Sequence, residues 1–231
     1  MLLHERPIPE CVEPPNWRRI PIVGNDIPLV VVAATDRLDV RPAYHLGGIP
    51  GAPAVVRVRA DAHAALIRAS NALPEPLGLR VLDGHRPVAV QQWLWDREWQ
   101  RALEAFPGAD DARLTEHVGR YVARPTADPL APPPHRSGGA VDVVLFRRTD
   151  GQPIDCGTPF DAPLAASATR HYEPEGADPE HRSARRTLFH AMEDAGFANY
   201  PGEWWHFDLG NQRWANLRGL ACARHGIPVD E

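Results

Sequence analysis

Twenty-five prolines in 231 residues constrain this chain more than any other single feature. Each proline fixes φ at about −65° and removes a backbone donor, so it is excluded from helix interiors and central strands. It also holds the residue before it in an extended conformation. The densest runs are "APPPHR" (131–136) and "ECVEPPNW" (10–17). A compact protein with long ordered loops between its regular elements is expected. The chain reads as one domain over 1–231, with a Pro-rich N-terminal segment at about 1–27.

The composition is that of a globular protein, 43% hydrophobic and 24% charged. A net charge of −5 with no basic stripe argues against nucleic acid as a partner. The cluster "RSARR" (182–186) reads as a solvated helix face. The acidic stretch "EPEGADPEH" (173–181) reads as a solvated loop. No run approaches the roughly 18–20 apolar residues of a membrane span. At the N-terminus Glu5 and Pro7 interrupt what a signal peptide would need as an unbroken apolar stretch. Cys11, Cys156 and Cys222 are isolated and match neither a disulfide framework nor a CxxC zinc site. A cytoplasmic protein is expected. The sequence carries no signal for oligomeric state.

Hydrophobic periodicity sets out the elements. "PLVVVAA" (28–34) reads as a buried strand. "DAHAALIRASNALPE" (61–75) has the spacing of an amphipathic helix. In "LGLRVLDGHRP" (77–87), Leu79, Val81 and Asp83 alternate with Arg80, Leu82 and Gly84, giving a strand that runs into a turn. Pro87 then suits the first turn of a helix over 88–106. Val141 to Phe146 form a β-prone run that "TDG" closes as a hairpin turn. "GTPFDAP" (157–163) is a loop, residues 181–197 a helix stopped at Gly196, and "YPGEWWHFDLG" a strand entered through a Pro-Gly turn. The fold class is α+β, with a small, mainly antiparallel sheet flanked by helices.

Three side chains carry the chemical signal. His135 is followed after six residues by Asp142, and Gly138 and Gly139 between them let the backbone turn before the strand begins. His135 is expected in the loop and Asp142 at the strand's start. His206 lies on another strand, and neighbouring strands run under about 5 Å apart. Two imidazoles and one carboxylate are the ligand number and type of a catalytic zinc site with one position left open for water. Such a site needs a carboxylate to accept the water's proton and pass it to the leaving amine. Glu203 can supply it. On a regular strand residues three apart diverge, so Glu203 must lie in the turn made by Pro201 and Gly202, with Trp204 and Trp205 packing beside the site. Arg86, in "DGHRP", offers a fixed fork of donors for an oxyanion; pairing with Asp83 to hold the turn is the alternative reading.

Taken in order, "DGHRP", "HRSGGAVDV", "GTPFD" and "EWWHF" resemble the zinc D-alanyl-D-alanine dipeptidases of the VanX type, over about residues 28–210. These stand in a wider group of peptidoglycan D,D-peptidases with hedgehog-like domains. The resemblance implies that His135, Asp142 and His206 hold one Zn²⁺ per chain, that Glu203 is the base, and that Arg86 steadies the tetrahedral intermediate. It further implies that Asp161 faces the substrate's free ammonium group. The expected partner is a small dipeptide, D-Ala-D-Ala or a close relative. Action on longer peptidoglycan peptides as a carboxypeptidase or endopeptidase is the alternative, and a non-catalytic zinc-stabilised binding module a third reading. The setting such an activity serves is antibiotic resistance, recycling of wall fragments or use of D-alanine as nutrient, and the residues do not choose among these. Two departures concern the dipeptide pocket: Pro133 stands where the family often has serine, and Pro42 where a tyrosine is expected, with Tyr44 as the candidate to replace it.

Overall fold

The computed structural model describes residues 1–13, 15–24, 26–126 and 128–229. In chain order the elements are β1 (Leu29–Val31), β2 (Leu38–Val40), α1 (Ala43–Leu46), β3 (Arg57–Arg59), α2 (Ala60–Ala72), β4 (Leu77–Asp83), α3 (Val88–Ala105), α4 (Asp111–Val118), β5 (Ala140–Arg147), α5 (Pro179–Asp194), β6 (Ala198–Asn199), β7 (His206–Asp208) and α6 (Gln212–Leu217). Five strands form one sheet in the order β2-β4-β5-β7-β6, while β1 and β3 make a separate antiparallel pair. Only the β2–β4 pairing is parallel in the larger sheet. The α+β expectation and the mainly antiparallel sheet are therefore observed.

Strand alternation sorts the sheet's two faces. Val141, Val143 and Leu145 on β5, with Leu79 and Val81 on β4, are fully buried against Leu66 of α2 and Leu188 and Met192 of α5. Each such side chain contributes about 1.5–3 kcal/mol on leaving water. Asp142, between Val141 and Val143, points to the opposite face. A second apolar cluster there joins Val90, Leu94 and Trp95 of α3 to Leu114 and Val118 of α4, with Tyr44 of α1. Phe160 packs against both clusters. Phe160 contacts Tyr44 and Trp205 at ring-centroid distances of 5.9 and 5.7 Å, and the site lies beside these rings.

Several local expectations change. The run 28–34 gives only a three-residue strand in the small sheet, and Val31 is exposed; apolar character there marks a surface edge with Val32 alone turned fully inward. Helix α5 starts two residues earlier than expected because Asp178 caps it, accepting from the backbone of Glu180 and His181, and Pro179 fills the first turn. The "RSARR" cluster is not a solvated face. Arg185 is fully buried and donates to the carbonyls of Cys156, Ala166 and Ala168 at 2.7, 2.8 and 2.7 Å. Arg186 makes a two-pronged pair with Glu173 at 2.8 and 2.7 Å. A buried guanidinium survives by saturating its donors, and here those bonds pin the loop that leads to Asp161. Helices α4 and α6 and strand β2 lie outside the elements expected from sequence, although α4 carries a legible signal: Asp110 caps it by accepting from the Arg113 N–H, and Leu114 and Val118 are buried one turn apart.

Candidate metal centre and active site

Register assembles the centre. Asp83 pairs with Asp142 across β4–β5, and Asp142 pairs with His206 across β5–β7. Three polar residues thus lie abreast on adjacent strands. A bulge between Val81 and Asp83 is what aligns the first of them; without it Leu82 would face Asp142, and a bulge re-aims the side chain that follows it. His135 arrives from a short 3-10 turn over Pro134–Ser137, ended by Gly138 at φ 72°. It was expected in an irregular loop. The turn exists because consecutive prolines preset the backbone and Gly138 reverses it.

The three candidate ligand atoms converge. His135 Nε2 lies 3.1 Å from His206 Nδ1 and 3.4 Å from Asp142 Oδ1, and His206 Nδ1 lies 3.1 Å from the same carboxylate oxygen. All three residues are buried. Their other atoms decide which lone pairs are bare. His135 Nδ1 stands 2.9 Å from the Gly84 carbonyl. A carbonyl can only accept, so that nitrogen is the donor, and in the neutral ring Nε2 carries the lone pair. His206 Nε2 faces Asp208 Oδ2 at 3.2 Å. Asp208 is itself fixed by Asn211 at 2.6 Å. With His206 neutral, its Nδ1 is bare as well. Three electron pairs then point at one another with no proton between them, which is favourable only around a cation. Bonds of about 2.0–2.2 Å to a tetrahedral metal would set such atoms about 3.3–3.6 Å apart, a little beyond the observed edges of 3.1–3.4 Å. The donor set fits a divalent metal, and the Gly84 and Asp208 contacts orient the rings as outer partners of metal-bound histidines do.

Electrostatics agree. Burial opposes charge on His206, yet Asp208 and Asp142 outweigh it and raise the imidazole to about 10. Burial also opposes ionisation of Asp142, but His135 and His206 hold it well below the usual carboxylate range. A metal and a proton compete for the same Nδ1.

Glu203 sits where the turn geometry requires. Its backbone nitrogen bonds to the Tyr200 carbonyl at 3.1 Å, closing the Pro-Gly turn, and Tyr200 pairs back to the His206 carbonyl at 3.0 Å. Its carboxylate is thereby off the ladder, 3.9 Å from His206 Nδ1. Burial pushes it up to about 8. Trp205 and Trp204 are buried, and the Trp204 indole donates to Thr158 at 2.8 Å.

Arg86 pairs with Asp83 to hold the turn, and its remaining nitrogen faces the cavity. Its Nε bonds to Asp83 at 2.8 Å and its Nη1 to Gln91 at 2.9 Å, holding the turn, while Nη2 reaches Asp142 at 3.4 Å and the Tyr44 hydroxyl at 3.3 Å on the cavity side. Asp161, with φ at 60°, accepts from the Tyr44 hydroxyl at 3.2 Å and from Arg97 at 2.8 Å. Burial raises its carboxyl, and Arg97 opposes that rise. Tyr44 is therefore in the site, linking Arg86 to Asp161. All six residues singled out from sequence line or adjoin one cavity of about 190 Å³. The sequence reading missed Asp208, Arg213 and Arg97. Asp208 had a legible signal, since it lies two residues from His206 and shares its face on a strand.

The D-ala-D-ala dipeptidase family model matches residues 53–221. Over 151 residues the chain is 38% identical to the D-alanyl-D-alanine dipeptidase of Synechocystis sp., covering 58% of this chain and 60% of that one. It is 30% identical over 145 residues to the D-alanyl-D-alanine dipeptidase of Enterococcus faecium, covering 60% of this chain and 65% of the relative. The chain thus spans somewhat less than two thirds of these relatives. A structure of the vancomycin-resistance D,D-pentapeptidase VanY in complex with Zn(II) aligns with a TM-score of 0.44 at 17% identity, over 90% of this chain and 97% of that one. Since the family match takes in nearly three quarters of the sequence and every residue of the metal triangle, the chain belongs to the D-ala-D-ala dipeptidase family.

Proposed function

We propose that this protein is a zinc-dependent dipeptidase that hydrolyses D-Ala-D-Ala or a closely related dipeptide. The observation that carries the reading is the convergence of His135, Asp142 and His206 beside the Glu203 carboxylate in one small cavity. Zinc held by His135 Nε2, His206 Nδ1 and Asp142 would polarise a carbonyl and acidify water from a pKa of about 15.7 towards about 7. Glu203 accepts the proton of the attacking water and delivers it to the leaving amine. A carboxyl raised by burial is matched to that exchange. Arg86 Nη2, anchored by Asp83, presents a fixed positive charge where negative charge develops on the carbonyl oxygen. Asp161, with the Tyr44 hydroxyl beside it, receives the substrate's ammonium group.

The cavity supports a short substrate. Its volume of about 190 Å³ falls below the ~300–1,000 Å³ of sites for drug-sized ligands. Three free cysteines fit a reducing compartment, which supports the cytoplasm as the place of action. Among the described residues no helix is long and apolar enough to cross a membrane. The test is a metal assay followed by a substrate series. One zinc per chain and strong preference for the free dipeptide over an N-blocked tripeptide are expected. Comparable cleavage of the blocked tripeptide would refute the dipeptidase reading.

A further inference from the structure

Part of the cavity wall comes from outside the region matched by the family model. Glu13, Trp17 and Arg18 line it together with Tyr44, Arg86, Glu203 and His206. This N-terminal strap is firmly seated. Glu13 accepts from Arg213 Nε at 2.7 Å, and the Arg213 guanidinium stacks over Trp17 at 5.0 Å. Gln212 of α6 donates to the Arg18 and Ile20 carbonyls at 3.1 and 2.6 Å. Further on, Val23 and Ala223 exchange backbone contact through the Val23 N–H at 2.7 Å.

A charge ledger of the cavity singles out one residue. Four arginines line it: Arg18, Arg86, Arg120 and Arg213. Arg86 is committed to Asp83 and Asp142, Arg120 to Glu116 at 2.7 Å, and Arg213 to Glu13. Among the described residues Arg18 makes no ion pair with a carboxylate; its guanidinium rests on the face of Trp17 at 4.3 Å. Trp17 therefore carries Arg18 and Arg213, and Arg213 Nη1 in turn reaches His206 Nε2 at 3.5 Å. An exposed guanidinium on the Trp17 wall, with Asp161 on the Tyr44 side, gives the cavity groups of both signs for a zwitterion.

We infer that Arg18 is the counter-ion for the carboxylate of a dipeptide's C-terminal residue, so that the N-terminal strap selects substrates ending within the cavity. The inference rests on the dipeptidase reading and adds a specificity-determining residue to it. Arg18 lies at the surface end of the cavity, so its contribution is that of a partly solvated charge-assisted hydrogen bond.

The experiment compares D-Ala-D-Ala with its C-terminal amide on zinc-loaded wild-type, Arg18→Gln and Arg18→Lys proteins. The amide keeps the scissile bond and the ammonium but lacks the negative charge. Arg18→Gln should raise KM for the free dipeptide about tenfold with kcat little changed, and leave KM for the amide unaltered. Arg18→Lys should recover part of the loss. Equal effects on both compounds, or none on either, would overturn the Arg18 assignment while leaving the dipeptidase reading standing. Wild-type protein that cleaves neither compound would refute the dipeptidase reading and the assignment with it.

Discussion

Replacing Glu203 by glutamine keeps the side chain's length and one hydrogen-bonding oxygen but removes its capacity to take up a proton. Two effects follow, and they separate. General base catalysis contributes about 10²- to 10⁴-fold, so kcat should fall by that factor while zinc content stays at one per chain. Stability should move the other way. Burial lifts the Glu203 carboxyl from 4.5 to about 8, so the folded state favours the neutral acid, and ionisation costs folding free energy as pH rises from the unfolded value towards the folded one. That displacement corresponds to about 5 kcal/mol. In metal-free protein, Glu203→Gln should therefore match wild type in stability near pH 4 and gain progressively up to about pH 8–9. Bound zinc, by favouring the carboxylate, should erase most of the gain. Urea unfolding of both proteins across this pH range, with and without zinc, provides the assay. A metal-free variant no more stable than wild type at pH 9 would show that Glu203 is not held in a dry site. Near-normal kcat in the zinc-loaded variant would remove it as the base.

Zinc binding should release protons at pH 7, because the His206 imidazole, raised to about 10 by its carboxylate neighbours, must give up its Nδ1 proton to the metal. Calorimetry in buffers of different ionisation enthalpy should show this, together with an affinity that falls as pH falls; buffer-independent heats would contradict it. Arg185→Ala leaves the Cys156 and Ala166 carbonyls without donors and takes one of two from Ala168, which keeps the His171 N–H; it should cost about 2–4 kcal/mol, read as a lowered denaturant midpoint, with KM rising as the loop bearing Asp161 loosens. Gly139→Ala would drive a Cβ into the Leu209 carbonyl oxygen, whose residue pairs back to Gly139 at 2.7 Å. Weakened β5–β7 register should lower zinc affinity at least tenfold, measured by chelator competition; unchanged affinity would show that the ligand triangle does not depend on that close approach.

The metal triangle was legible early because its parts carry chemistry in their residue types: a histidine, a glycine pair and an aspartate on a β-prone run, then a distant histidine after a Pro-Gly turn. The turn told where Glu203 must go, since strand alternation alone would have sent it away from His206. Tyr44 was visible as a candidate only by position, and its hydroxyl contacts needed the fold to bring α1 against Arg86 and Asp161. The buried Arg185 was misread for a general reason. A guanidinium looks the same in sequence whether it faces water or three carbonyls.

By itself the sequence determined the longer elements, the α+β class and the identity of the ligand and base candidates, because periodicity, proline placement and side-chain chemistry act locally. Tertiary structure alone decided the alignment of Asp83, Asp142 and His206, which hangs on a one-residue bulge, and the strap that brings Arg18 to the cavity. Both are matters of which distant segments meet. Register and docking are set by the summed packing of the whole core, and no short window of residues contains that sum.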